Sequence, residues 1–170
     1  MKYKNAIIET LKTIAIAYLL SLIILKFVIM PCVVQGSSMN PNLNNDDYGY
    51  SFIITKNIKI NRQDIVVISV DKNDSESLLV KRAIGLPNDH VQYINNQLYV
   101  NDELIEEPYL QYDAYTEDLD IYLGDDEYYC LGDNRNVSRD SRYYGSFSKD
   151  DILATHILII FPFSDFGFKK

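Results

Sequence analysis

Residues 78–100 read LLVKRAIGLPNDHVQYINNQLYV, and this stretch decides the fold. Two short runs, 90–94 and 97–100, flank Asn95 and Asn96. Asn tolerates the positive φ that a two-residue hairpin turn demands, so the pair predicts two antiparallel strands. A third run, 78–84, ends at a Gly-Leu-Pro breaker and reads as another strand. Alternation within it places Lys81 on one face with Leu79 and Ala83, while Arg82 points the other way.

Working outward, the same punctuation recurs. Residues 32–35, 50–55, 65–70, 128–131 and 152–161 read as further strands. The segment 71–77, DKNDSES, reads as a polar hairpin loop. The acidic stretch 113–127 reads as an exposed excursion, with packing of its tyrosines on a sheet as the alternative. No repeat and no Pro-, Gly- or Ser-rich linker divides 31–170. The expected fold is a mostly β, antiparallel domain on one N-terminal helix.

That helix is expected over 13–30, TIAIAYLLSLIILKFVIM, which is apolar apart from Lys26. At 1.5 Å per residue it makes about 27 Å, just enough to cross a bilayer. Lys26 lies where a long side chain snorkels to headgroups, and Pro31 is expected to end the helix. Lys2, Lys4 and Lys12 precede the span and mark the cytoplasmic side. The predicted division is therefore 1–12 cytoplasmic, 13–30 membrane anchor, and 31–170 extracytoplasmic. A cleaved secretory signal or a lipoprotein signal ending at Cys32 would want small residues where Val28, Ile29, Met30 and Pro31 stand. A buried core helix would show a polar face, and this stretch shows almost none.

Composition narrows the function. The 170 residues leave room for one domain beyond the anchor. A formal net charge of −8 repels phosphate backbones, so nucleic acid is a poor partner. Cys32 and Cys130 have no metal-ligand spacing and read as unpaired small hydrophobes. With only His90 and His156 besides, no zinc cluster is expected.

Three polar sites stand out. In GSSMNP, 36–41, Ser38 lies on a bent segment between Gly and Pro, where a hydroxyl projects and N–H groups converge; by itself this is an ordinary turn serine. Lys81 interrupts an apolar strand, and a lysine among apolar groups is hard to charge, so its neutral amine can act as a base toward a serine. Alone it would pass as an exposed edge lysine. GDNRNVSRDSR, 132–142, follows a strand and reads alone as a turn laced with ion pairs. Beside the first two it is a candidate orienting shell.

With RQDIVVI at 62–68 and KRAIGLPND at 81–89, these motifs fall in one order after a membrane anchor, and the chain resembles signal peptidase I in its Gram-positive form over nearly its whole length. The resemblance implies a membrane-bound endopeptidase that removes signal peptides from secretory preproteins at the bacterial cell membrane, using no cofactor. It implies that Ser38 attacks the scissile carbonyl and Lys81 accepts its proton. Ser138 would hydrogen-bond the lysine amine, and Asp133 with Arg82 and Asp140 with Arg142 would form supporting ion pairs. Met39, Leu43 and Val80 would line the apolar groove, and the Ser38 N–H would supply one oxyanion donor. Gly36 stands where some members carry a second, hydroxyl donor. Asn42, Gln63, Asn88 and Val137 depart from the usual pattern; Asn88 is the mildest change, and Val137, beside Ser138, is the one expected to disturb the site. These departures motivate the rival reading, a catalytically weak or inactive membrane-tethered paralogue acting as a binding or assembly factor.

Overall fold

A computed structural model describes residues 2–71 and 77–169. Helix α1 runs Lys2–Phe27. Its part from Tyr3 to Phe27 is long and apolar enough to cross a membrane and buries nothing against the rest of the chain. The helix ends three residues before Met30, because Ile29–Val33 forms strand β1. Pro31 therefore does not terminate the helix; it pairs opposite Tyr50 in an edge strand, where a missing N–H is tolerated.

The remaining elements are β2 (Tyr48–Phe52), α2 (Ile53–Ile58), β3 (Ile65–Ser69), β4 (Leu78–Gly85), β5 (His90–Ile94), β6 (Gln97–Val100), β7 (Glu103–Ile105), β8 (Leu119–Tyr122), β9 (Glu127–Leu131), α3 (Ser141–Tyr144), β10 (Phe147–Ser148), β11 (Ile152–Phe161) and β12 (Gly167–Lys169). The larger sheet has the order β1-β2-β11-β3-β4-β9-β10, with β12 on β11, and the smaller has the order β7-β6-β5-β8. Every pairing is antiparallel. Asn95 and Asn96 take φ of 51° and 65°, as the hairpin reading requires.

The larger sheet is buried on both faces. Along β3, Val66 and Ile68 enter one apolar cluster with Ala83 and Cys130, whereas Ile65 enters another with Cys32, Met39, Ile157 and Ile159. Full burial of such side chains contributes about 1.5–3 kcal/mol each. Cys32 and Cys130 are free and sit in different clusters. A third cluster packs Val91, Tyr93 and Leu98 of the smaller sheet against Ile84 and Leu131 of the larger.

Two expectations are corrected. Strand 50–55 is cut short at Phe52, after which α2 turns and Lys56 Nζ donates to the Ile152 carbonyl at 2.6 Å. The acidic stretch 113–127 is not a solvated excursion: Ala114, Thr116 and Leu123 are buried, and β8 pairs with β5. Its Leu119 and Ile121 pack on the third cluster while Asp120 and Tyr122 face out. The expected loop at 71–77 lies mostly outside the described residues.

Candidate active site

Ser38 stands on the turn between β1 and β2. The turn is closed by the Asn40 N–H on the Ser37 carbonyl at 3.2 Å and the Leu43 N–H on the Met39 carbonyl at 3.0 Å. Its entry, Gly36, has φ of +83°, which favours glycine, and donates its N–H to Asn45 Oδ1 at 2.8 Å. The Ser38 carbonyl accepts the Asn134 N–H at 2.9 Å, tying the turn to loop 132–142. The Ser38 N–H finds no acceptor among the described residues.

Lys81 reaches this turn from β4. Its amine donates to Ser38 Oγ at 2.8 Å and to the Val80 carbonyl at 2.9 Å. The residue is 2% exposed. Burial is the dominant influence and pushes the amine from 10.5 down to about 8, against the opposing pull of the Asp140 and Asp133 carboxylates. At pH 7 that leaves about one amine in ten uncharged, a gain of about 300-fold over a free lysine.

Loop 132–142 surrounds the pair. Arg82 grips Asp133 with two bonds, Nε to Oδ1 at 2.8 Å and Nη2 to Oδ2 at 2.7 Å, both side chains being buried. The Arg82 guanidinium also lies 4.1 Å from the Tyr109 ring centre. Arg142 grips Asp140 in the same way, at 2.8 Å for each bond. Burial pushes the Asp140 carboxyl up, but Arg142 and the Gly132 N–H more than offset it and hold it below its ordinary range. Gly132 has no room for a side chain: a Cβ there would stand 2.5 Å from the Ser38 carbonyl oxygen and 2.2 Å from Ser138 Oγ.

Ser138 departs from its expected role. Its hydroxyl makes no bond to Lys81 and is buried without a hydrogen-bond partner, although it lies close enough to Asp140 to favour that ionised carboxylate. Leu43 departs as well. At 0% exposure it belongs to the core beneath the turn, whereas Met39 and Val80 do line the adjoining groove.

That groove has a volume of about 530 Å³ and runs between Met30–Gln35 on one side and Leu78–Lys81 on the other, with Val67 in its floor and Ser38 at its end. Both walls offer strand edges. β1 pairs only with β2, and β4 joins β9 only from Arg82 onward, so residues 78–81 keep one backbone edge unpaired among the described residues.

The substituted positions are accommodated. Asn88 has φ of 67°, as expected, and Gln63 has φ of 69° while its carbonyl accepts from Arg82 Nη1 at 2.7 Å. Val137 is 59% exposed. Asn42 donates to the Tyr109 carbonyl at 2.8 Å and to Asp133 Oδ2 at 2.9 Å, linking the Ser38 turn to the buried ion pair. His90 bonds Asp120 and stacks on Tyr122, and His156 meets Thr155 and Asp64; neither bonds to Ser38 or Lys81.

One organising residue was not singled out from sequence. Arg135 is buried, donates to the Gly132 carbonyl at 3.1 Å, and binds Glu107, Thr116 and the Tyr93 hydroxyl, so it bolts the loop to the smaller sheet. It lies within the quoted motif, but its partners lie far off in stretches without a pattern.

A family model described as "Signal peptidase, peptidase S26" matches residues 7–161. Signal peptidase I S of Bacillus subtilis (strain 168) is 38% identical over 175 residues, covering 95% of this chain and 93% of its own length. Signal peptidase IB of Staphylococcus aureus (strain COL) is 33% identical over 182 residues, covering 96% and 94%. The crystal structure of a signal peptidase I from Enterococcus faecalis V583 superposes with a TM-score of 0.50 at 28% identity, covering 57% of this chain and 96% of that one.

Proposed function

Because the chain belongs to the signal peptidase family, peptidase S26, and is a membrane-anchored serine endopeptidase that cleaves signal peptides, we propose that Ser38 is its nucleophile and Lys81 its general base. The observation that carries the assignment is the 2.8 Å contact between a buried amine and the Ser38 hydroxyl. Lys81 takes the Ser38 proton as Oγ bonds to the scissile carbonyl carbon, then returns that proton to the leaving nitrogen as the C–N bond breaks. Water, deprotonated by the same amine, then bonds to the acyl carbon, and the ester bond to Ser38 breaks as the amine returns that proton to Oγ. The Ser38 N–H, which meets no acceptor among the described residues, serves the oxyanion. One such donor is worth about 3 kcal/mol in comparable sites.

The ion pairs hold geometry. Arg82 with Asp133 fixes the strand carrying Lys81 against the loop, and Arg142 with Asp140 fixes the loop on itself. Asn42 joins the Ser38 turn to the first of these.

The substrate is a signal peptide that enters as an extended segment between the unpaired edges of β1 and residues 78–81, where backbone bonds supply affinity. Apolar side chains such as Met39, Val34 and Val80 leave space for small residues at the first and third positions before the cut. The bilayer-crossing part lies within Tyr3–Phe27, with the sheets facing outward from Ile29. Anchoring raises the effective concentration of enzyme at a membrane-borne substrate.

The deciding experiment is cleavage of a purified precursor by the full chain in detergent, beside Ser38→Ala. Product formation only with the native chain is expected; equal rates in both would remove Ser38 from this role.

A further inference from the structure

A peptide cut at Ser38 must continue past it, and loop 132–142, which surrounds the Ser38–Lys81 pair, carries a second cavity. It measures about 520 Å³ and lies between loop 132–142 and the acidic stretch that precedes β8. Ser138, Arg142 and Tyr143 form one side, and Tyr115, Glu117 and Asp118 form the other. Gly132 stands between the first groove and this cavity: the Ser38 carbonyl, from a residue lining the groove, and the Ser138 hydroxyl, from a residue lining the cavity, both pack against its backbone, too close for any side chain there. The Lys81 amine also feels the charges of Asp140 and Arg142, so the wall of the second cavity is within electrostatic reach of the reacting groups.

The charge of this cavity has a sign. Its two arginines are already neutralised, Arg135 by Glu107 at 2.5 Å and Arg142 by Asp140 at 2.8 Å. Glu117 and Asp118 are exposed and meet no cation among the described residues. Tyr115 and Tyr143, 58% and 69% exposed, add broad aromatic flanks suited to an extended peptide.

We propose that this cavity receives the first residues after the cut, the start of the mature chain, and selects basic over acidic side chains there. The assignment rests on Ser38 as nucleophile. Exposed carboxylates act through solvent, so the preference is modest, about three- to tenfold in kcat/KM, and shrinks as salt rises.

The test uses the full chain in detergent and three peptides that share one signal region but carry lysine, glutamine or aspartate at the second and third positions after the cut. The expected order of kcat/KM is lysine, glutamine, aspartate, and it should invert in the Glu117→Lys/Asp118→Lys double variant. The single variant Glu117→Gln should narrow the spread. Equal rates for the three peptides, or one order shared by native and double-variant proteins, would overturn the cavity assignment. Cleavage of all three peptides that vanishes in Ser38→Ala would leave the nucleophile standing even then, whereas cleavage that persists in Ser38→Ala would bring down both.

Discussion

Replacing Lys81 with methionine should make the protein more stable, by an amount that depends on pH. Unfolded, the amine titrates at 10.5; folded, burial lowers it to about 8. Between these values the unfolded chain holds the proton more firmly than the native one, so the stability of the native protein rises as pH rises through this window. Below about 8 the full penalty of burying the cation is present, about 3 kcal/mol at pH 7. By pH 10 only about 1 kcal/mol of it remains. Methionine fills a similar volume with no charge, and its lost hydrogen bonds to Ser38 and Val80 are a constant offset. The difference in unfolding free energy between the variant and the native chain should therefore shrink by about 2 kcal/mol from pH 7 to pH 10. Urea titration of both full-length proteins in the same micelles, followed by the near-UV circular dichroism of the tyrosines, measures it, and other titrating groups cancel in the comparison. A difference that stays flat across that range would mean that the amine is not held uncharged by burial, and the reasoning that makes it a base would fail.

The same ionisation should shape catalysis. Since the uncharged amine is the active form, kcat/KM should climb about tenfold per pH unit below about 8 and level above it, and Lys81→Arg should abolish turnover because a guanidinium keeps its proton. Gly132→Ala should cost at least about 100-fold in rate, because its Cβ would collide with the Ser38 carbonyl and displace the nucleophile; near-native kinetics in a precursor assay would contradict this. Ser138→Ala should lower the rate less than about tenfold and leave the bend of the pH profile in place, since its hydroxyl is not bonded to Lys81; a displaced bend would show a direct bond during turnover. Asp133→Ala should destabilise the chain by about 3–5 kcal/mol, as read by urea titration, because it strips a buried guanidinium of its carboxylate.

The strands that were legible in the sequence are those whose pattern is self-contained. His90–Ile94 and Gln97–Val100 announce themselves through alternation and a turn of two asparagines, and Ile152–Phe161 through a largely apolar run interrupted only by Thr155 and His156. Leu119–Tyr122 was hidden because its two inward residues sit among acids that mark a loop in isolation, and only pairing with β5 supplies the missing partner. The end of α1 was misplaced for a related reason: Met30 and Pro31 look like the close of an apolar helix until β2 is present to pair with them. At the site, the contact of Ser38 with Lys81 and the pairing of Arg82 with Asp133 and of Arg142 with Asp140 were expected from the family resemblance that the motifs carry, since their spacing alone joins no two of the motifs. The places of Leu43, Ser138 and Arg135 were not, since depth within the core and the position of a hydroxyl depend on residues distant in the chain.

Only Val28 separates the end of α1 from the first residue of β1. Beyond it the chain is extended only to Val33 and then bends at Gly36, so the stretch from Ile29 to Ser38 spans less than the about 30 Å it would reach if fully extended. That length is an upper limit on how far the nucleophile can stand from the start of the strand that follows its own anchor.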